Sequence, residues 1–123
     1  MYTVEEQKEH RKQWVAALRS GNYTQTRGVL RNAQGFCCLG VACDISGLGE
    51  WEAREDVINS YINHFDTLPR VVSDWLGISS SGHGINGNES FSLTILNDVS
   101  LYTFDQIADL IESEPTWSYN PGF

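Results

Sequence analysis

The sequence predicts an α+β domain, mostly α-helical, in which four to five helices and a small β-hairpin form one compact unit. Three observations carry that expectation. Two segments open on capping boxes, Thr3-Val4-Glu5-Glu6 and Thr103-Phe104-Asp105-Gln106. The segment 35–44, GFCCLGVACD, is apolar in nearly every direction when wound as a helix. A third stretch, residues 22–31, alternates β-branched, aromatic and polar side chains before the turn residues NAQG.

The first helix runs from its Thr3 cap to about Ser20, where Gly21 suits a left-handed terminus. Arg11, Trp14 and Leu18 share one face, with Val15 and Ala17 beside it, so Trp14 and Leu18 should enter the core. Residues 22–31 then read as a strand, and Asn32-Ala33-Gln34-Gly35 closes it into a short hairpin. In a helix from about Cys37 to Ile45, only Gly40 and Asp44 are not apolar, and they form one narrow line four residues apart. That is the pattern of a buried central helix, ended by the glycines of SGLGEW.

Residues 51–67 show no clear period. In DTLPRVVSDWLG, Asp66 or Thr67 can cap, Pro69 fits a first turn, Val72, Trp75 and Leu76 share a face, and Gly77 stops the helix. Residues 79–90 read as a flexible glycine-rich loop without the Gly-Lys-Ser/Thr of a phosphate loop. Ser92 or Ser90 should cap the short helix LTILND, and Phe104, Ile107, Ala108 and Ile111 form an apolar stripe behind the second capping box. Residues 114–123, with Trp117, Tyr119 and Phe123, should fold back or dock on a neighbouring subunit, so a homo-oligomer is expected.

Net charge is −8 but uneven: residues 1–31 hold six basic side chains against three acids, and residues 32–123 hold two against thirteen. An acidic total disfavours nonspecific nucleic-acid binding, which needs a basic face. The clustered cations can form a local anion site, or merely neutralise the acidic remainder. No run approaches the ~18 apolar residues of a membrane span, and the charged first residues are not a signal peptide, so a cytoplasmic protein without a membrane partner is expected.

The three cysteines are the sharpest compositional feature. Their spacing, adjacent and then five apart, lacks the paired pattern of structural zinc, and two neighbours on a helix point ~100° apart. Cys-x-x-Cys is missing, and no cation within the stretch would depress a thiol pKa. The thiols are therefore expected to pack as core, with no catalytic residue, metal or cofactor.

Recognition falls instead to the segment RSGNYTQTR and its neighbour Arg31. Period-two spacing would put Tyr23, Gln25 and Arg27 on one strand face, near Arg19 and Arg31. Arginine supplies a forked donor for phosphate, tyrosine a stacking surface, and glutamine an amide that reads a base edge. Asn97 and Asp98 follow LTIL at a helix end, where they either cap the next turn or touch ribose.

The order W…ALRSGNYTQ…VLRNAQGFCCLGVACD, LPRVVSDWLG and LTILND…TFDQIADLIE resembles a group of small proteins of bacteriophage and bacterial genomes. The resemblance spans roughly residues 13–112 and implies a phage or prophage origin, with no established activity to carry over. It implies a binding protein that inhibits host antiviral defence by sequestering a nucleotide-like immune signal. Two alternatives stand beside it: an inhibitor that engages a host protein through an acidic, DNA-like surface, and a cysteine-dependent enzyme.

Overall fold

A computed structural model of the chain describes residues 2–53, 58–80, 82 and 92–113. Among them are five helices, α1 (Val4–Arg19), α2 (Cys38–Ser46), α3 (Arg70–Leu76), α4 (Leu93–Asp98) and α5 (Phe104–Ser113). Three short strands, β1 (Arg31–Asn32), β2 (Trp51–Ala53) and β3 (Ile58–Tyr61), form an antiparallel sheet in the order β1-β3-β2. The α+β class expected from sequence is the class observed. Most of the glycine-rich loop and the whole aromatic tail lie outside the described residues.

Both capping boxes form. Thr3 Oγ1 accepts from the Glu6 amide while Glu6 accepts from the Thr3 amide at 2.8 Å. Thr103 and Gln106 exchange the same two bonds at α5. The helix termini are thus satisfied within four residues of sequence, which is why they could be read there.

Helix α2 sits at the centre. Cys38 through Cys43 are all buried, and Gly47 ends the helix in the left-handed conformation at φ +65°. Cys37 is its N-cap, and the sulfur accepts from the Gly40 amide at 3.4 Å. Helix α1 crosses over it with Trp14 fully buried, and the Trp14 indole donates to the Cys38 carbonyl at 2.9 Å. Phe104, Ile107, Ala108 and Ile111 of α5 complete the core, as their spacing predicted.

Helix α1 also closes α3. Gln7 Nε2 donates to the Asp74 carbonyl at 2.8 Å, and Arg11 donates to the Leu76 carbonyl at 2.6 Å. His10 Nδ1 lies 2.6 Å from the Trp75 carbonyl, which can only accept, so Nδ1 carries the hydrogen. Three consecutive carbonyls at one helix end are thereby satisfied from a single face of another helix. At the other end of α3 the expected cap from Asp66 or Thr67 does not form; Pro69 occupies the cap position and makes no side-chain capping bond.

The expected strand over residues 22–31 is the main departure. Gly28 turns to φ +84°, Gln25 makes only an isolated bridge to Phe36, and the ladder begins at Arg31. Its partner is not a sequence neighbour: Arg31 pairs with Asn59 and Asn32 with Ile58. The hairpin partners are instead β2 and β3, with Trp51 opposite Tyr61. No helix among the described residues is long and apolar enough to cross a membrane.

Candidate anion-binding groove

Without a continuous strand, the predicted recognition residues separate into three places, with Arg27 apart from all of them. Half-buried Gln25 and Asp98 meet around the buried Asn97: Gln25 Nε2 donates to Asn97 Oδ1 at 2.8 Å and to the Tyr102 carbonyl at 2.8 Å. Asn97 is fully buried and gives its own amide hydrogens to the Thr26 carbonyl at 2.9 Å and Asp98 Oδ1 at 2.8 Å. The pair neither caps the following turn nor presents its amides outward. Asn97 ties three chain segments together instead.

Tyr23 and Arg31 meet across a ring. Tyr23 packs edge-on to Phe36 at 4.9 Å, and the Arg31 guanidinium lies 5.2 Å from the Phe36 centroid and 5.4 Å from that of Trp51. Asp44 binds this cluster from the side, accepting from the Tyr23 hydroxyl at 2.6 Å and from Trp51 Nε1 at 3.0 Å. Partial burial, and then the Asp44 carboxylate, push the Tyr23 hydroxyl up to about 12. Arg27 stands apart, exposed, with no hydrogen bond or ion pair among the described residues.

Arg19 belongs to a third place, the seam between α1 and α5. Its guanidinium grips Glu112 with both terminal nitrogens, at 3.0 and 3.3 Å, and also holds Asp109. These bonds to Glu112 and then Asp109 raise the Arg19 pKa further above its ordinary value. Beside this seam opens a groove of about 610 Å³ lined by Lys8, Arg11, Lys12, Val15, Ala16 and Arg19 of α1 with Ile111 and Glu112 of α5.

The groove follows from helix geometry. Positions 8, 11, 12, 15, 16 and 19 recur at three- and four-residue steps, so they share one broad face of α1. Val15 and Ile111 are buried and form the floor, while the cations stand along the rim. Lys8 reaches Glu5 only at 3.8 Å, and Lys12 has no partner among the described residues. Burial pushes the Arg11 pKa below its ordinary value. Four cations stand here against Glu112 in the lining and Glu5 and Asp109 paired to its rim, which leaves the excess positive charge at Lys8, Arg11 and Lys12 on a chain of net charge −8.

Of the predicted recognition residues, only Arg19 lines this groove. The cations at 8, 11 and 12 were visible as a cluster, but the opposing wall comes from α5, about ninety residues away in sequence.

A family model described as a domain of unknown function, DUF8296, matches residues 6–115. The chain belongs to that family. No curated protein and no solved structure matches it.

In this DUF8296 protein the thiols are poor candidates for chemistry. Cys37, Cys38 and Cys43 are all free and buried. Burial pushes the Cys37 thiol up to about 12 and raises Cys38 and Cys43 as well. Among the described residues no group of three or more His, Cys, Asp and Glu side chains could hold a metal ion. Iodoacetamide at mildly alkaline pH should therefore leave the native protein unmodified by mass and label three thiols once urea is added.

The raised thiols also set an alkaline limit. A thiol that ionises near 8.5 in the unfolded chain but near 12 when folded favours the folded state fully only below the lower value. Stability should then fall as pH rises above about 8.5, and urea midpoints measured across that range check the sign.

Proposed function

We propose that this protein is a non-enzymatic binding protein that captures a nucleotide-like anion in the groove between α1 and α5. In the phage setting that the sequence resemblance implies, the captured ligand would be an immune signal of the host, withdrawn before it reaches its effector. The observation that carries the reading is the convergence of Lys8, Arg11, Lys12 and Arg19 on one groove, while the other end of the chain is acidic. A negative ligand repelled by that acidic remainder is drawn to a face where cations are in excess. The apolar floor of Val15, Ala16 and Ile111 gives a flat ligand body a dry surface, and the cations give its phosphate charge-assisted bonds.

The aromatic and amide groups first expected to read a base do not support this site, because Tyr23 is bonded to Asp44 and Gln25 to Asn97. Binding through α1 therefore predicts that Arg27→Ala leaves affinity unchanged.

Thermal unfolding with a panel of mono- and cyclic nucleotides tests the proposal. A binder present at ~100 times its Kd stabilises the folded state by about 2.7 kcal/mol, an upward shift of several degrees. The shift should vanish in the double variant Lys8→Glu/Lys12→Glu, whose side chains project into solvent and whose unliganded stability should hardly change. No shift with any nucleotide, or an equal shift in the double variant, contradicts the proposal.

A further inference from the structure

The cations of the groove stand at two levels. Lys8, Arg11 and Lys12 crowd the wall near the start of α1, and Arg19 stands by itself at the helix end. At 1.5 Å rise per residue, Lys12 and Arg19 are about 10 Å apart along the axis. Between them the wall is Val15 and Ala16, faced by Ile111 from α5.

The two levels also differ in occupancy. The first has donors to spare: Lys12 has no partner among the described residues, Lys8 makes one long pair, and Arg11 gives one nitrogen to the Leu76 carbonyl. The second is already filled by anions of the chain itself, because Glu112 takes both terminal nitrogens of Arg19 and Asp109 takes one of them. Glu112 also lines the groove, so its carboxylate lies where a ligand's far end would arrive.

We propose that the ligand carries two anionic groups at opposite ends of an apolar or flat body, roughly 10 Å apart, and that Glu112 is a built-in competitor which the second group must displace from Arg19. The proposal rests on the groove being the anion site, and it names the class of anion. A phosphate offers three acceptor oxygens to the guanidinium fork where a carboxylate offers two, so it can replace Glu112 bond for bond. Glu112 is free to leave, since its side chain is 64% exposed and an exposed pair is screened by water and salt. A ligand with one anionic group gains nothing at Arg19 that Glu112 does not already provide, so it stops at the first level. Selection then comes from the spacing of two charges rather than from reading a base edge.

Calorimetric titration of the whole chain with octane bisphosphate, octyl phosphate and inorganic pyrophosphate tests this. On the wild type the bisphosphate should bind at least about tenfold more tightly than octyl phosphate, the gain of one further charge-assisted contact. Glu112→Gln removes the charged competitor that lines the groove while Asp109 stays on Arg19, and should tighten the bisphosphate by about another tenfold while changing octyl phosphate less than about twofold. Bisphosphate and monophosphate binding alike overturns the two-anion ligand. Equal tightening of both by Glu112→Gln overturns the competition, because the residue then acts only by general repulsion, and no tightening overturns it too. If none of the three probes binds the wild type, or if Lys8→Glu/Lys12→Glu leaves their binding intact, the anion-site reading itself fails.

Discussion

Gly40→Ala should destabilise the protein by more than about 3 kcal/mol, the upper end of what overpacking a core costs. A β-carbon at position 40 would stand 1.9 Å from the Leu30 carbonyl oxygen and 2.8 Å from its carbon. Those are backbone atoms, held in turn: the Leu30 carbonyl accepts from the Cys37 amide at 3.0 Å, and the Leu30 amide donates to the Phe65 carbonyl at 2.6 Å. Relief requires α2 to lift from the 30–37 segment, and the buried Cys38, Leu39, Val41 and Cys43 would lose their packing with it. Gly47→Ala is the internal comparison. It has open space but sits at φ +65°, so it should cost only the ~1 kcal/mol of a left-handed alanine. Urea midpoints of the two variants should therefore separate widely, and a Gly40→Ala protein as stable as Gly47→Ala would contradict the packing described.

Asn97→Ala should cost a further large amount, about 3–5 kcal/mol, without changing ligand affinity per folded molecule. Its carboxamide accepts from Gln25 and from the Cys38 amide at 3.3 Å, and donates to Thr26 and Asp98. Truncation leaves the Cys38 amide and the Thr26 carbonyl short of a partner in the interior, at ~1–3 kcal/mol each, and adds a cavity. Asn97→Asp is no remedy, because a carboxylate cannot donate to the Thr26 carbonyl and faces Asp98. A stable Asn97→Ala protein that has lost ligand binding would reverse the assignment and return Asn97 to the ligand.

These two residues show what could and could not be read in the chain. The five helices were legible because their signals are local: Thr3, Ser92 and Thr103 cap within three residues, Gly77 stops α3, and the stripe from Phe104 to Ile111 repeats at helical spacing. The sheet was not, because β1 pairs with β3 some twenty-seven positions on, and nothing near Arg31 specifies Asn59. Residues 22–31 had strand composition, yet only Gln25 makes a bridge, and Gly28 at φ +84° turns the chain before the ladder starts at Arg31, so Tyr23, Gln25 and Arg27 share no paired strand. Ile62 at φ +50° is a β-branched residue in the left-handed region, where composition gives no warning of the turn that returns Tyr61 to His64.

For the proposed site, the structure groups the residues differently from the sequence reading. Arg19 was expected among the anion contacts and lines the proposed groove, but there its companions are Lys8, Arg11 and Lys12 on the same helix face rather than the segment that follows it. The steps of three and four residues from Lys8 to Arg19 held that signal. The groove also needs Ile111 and Glu112, and only the packing of α5 on α1 supplies them.

The central claim is that recognition lies on the cationic face of α1 while the sulfur-rich centre and its Asn97 tie are structural. Following backbone amide resonances by NMR as a nucleotide is titrated in tests it most directly. Shifts should concentrate between Lys8 and Arg19 and at Ile111 and Glu112. Shifts centred instead on Tyr23 to Arg31 with Asn97 and Asp98, or on Cys37 and Cys38, would contradict the account.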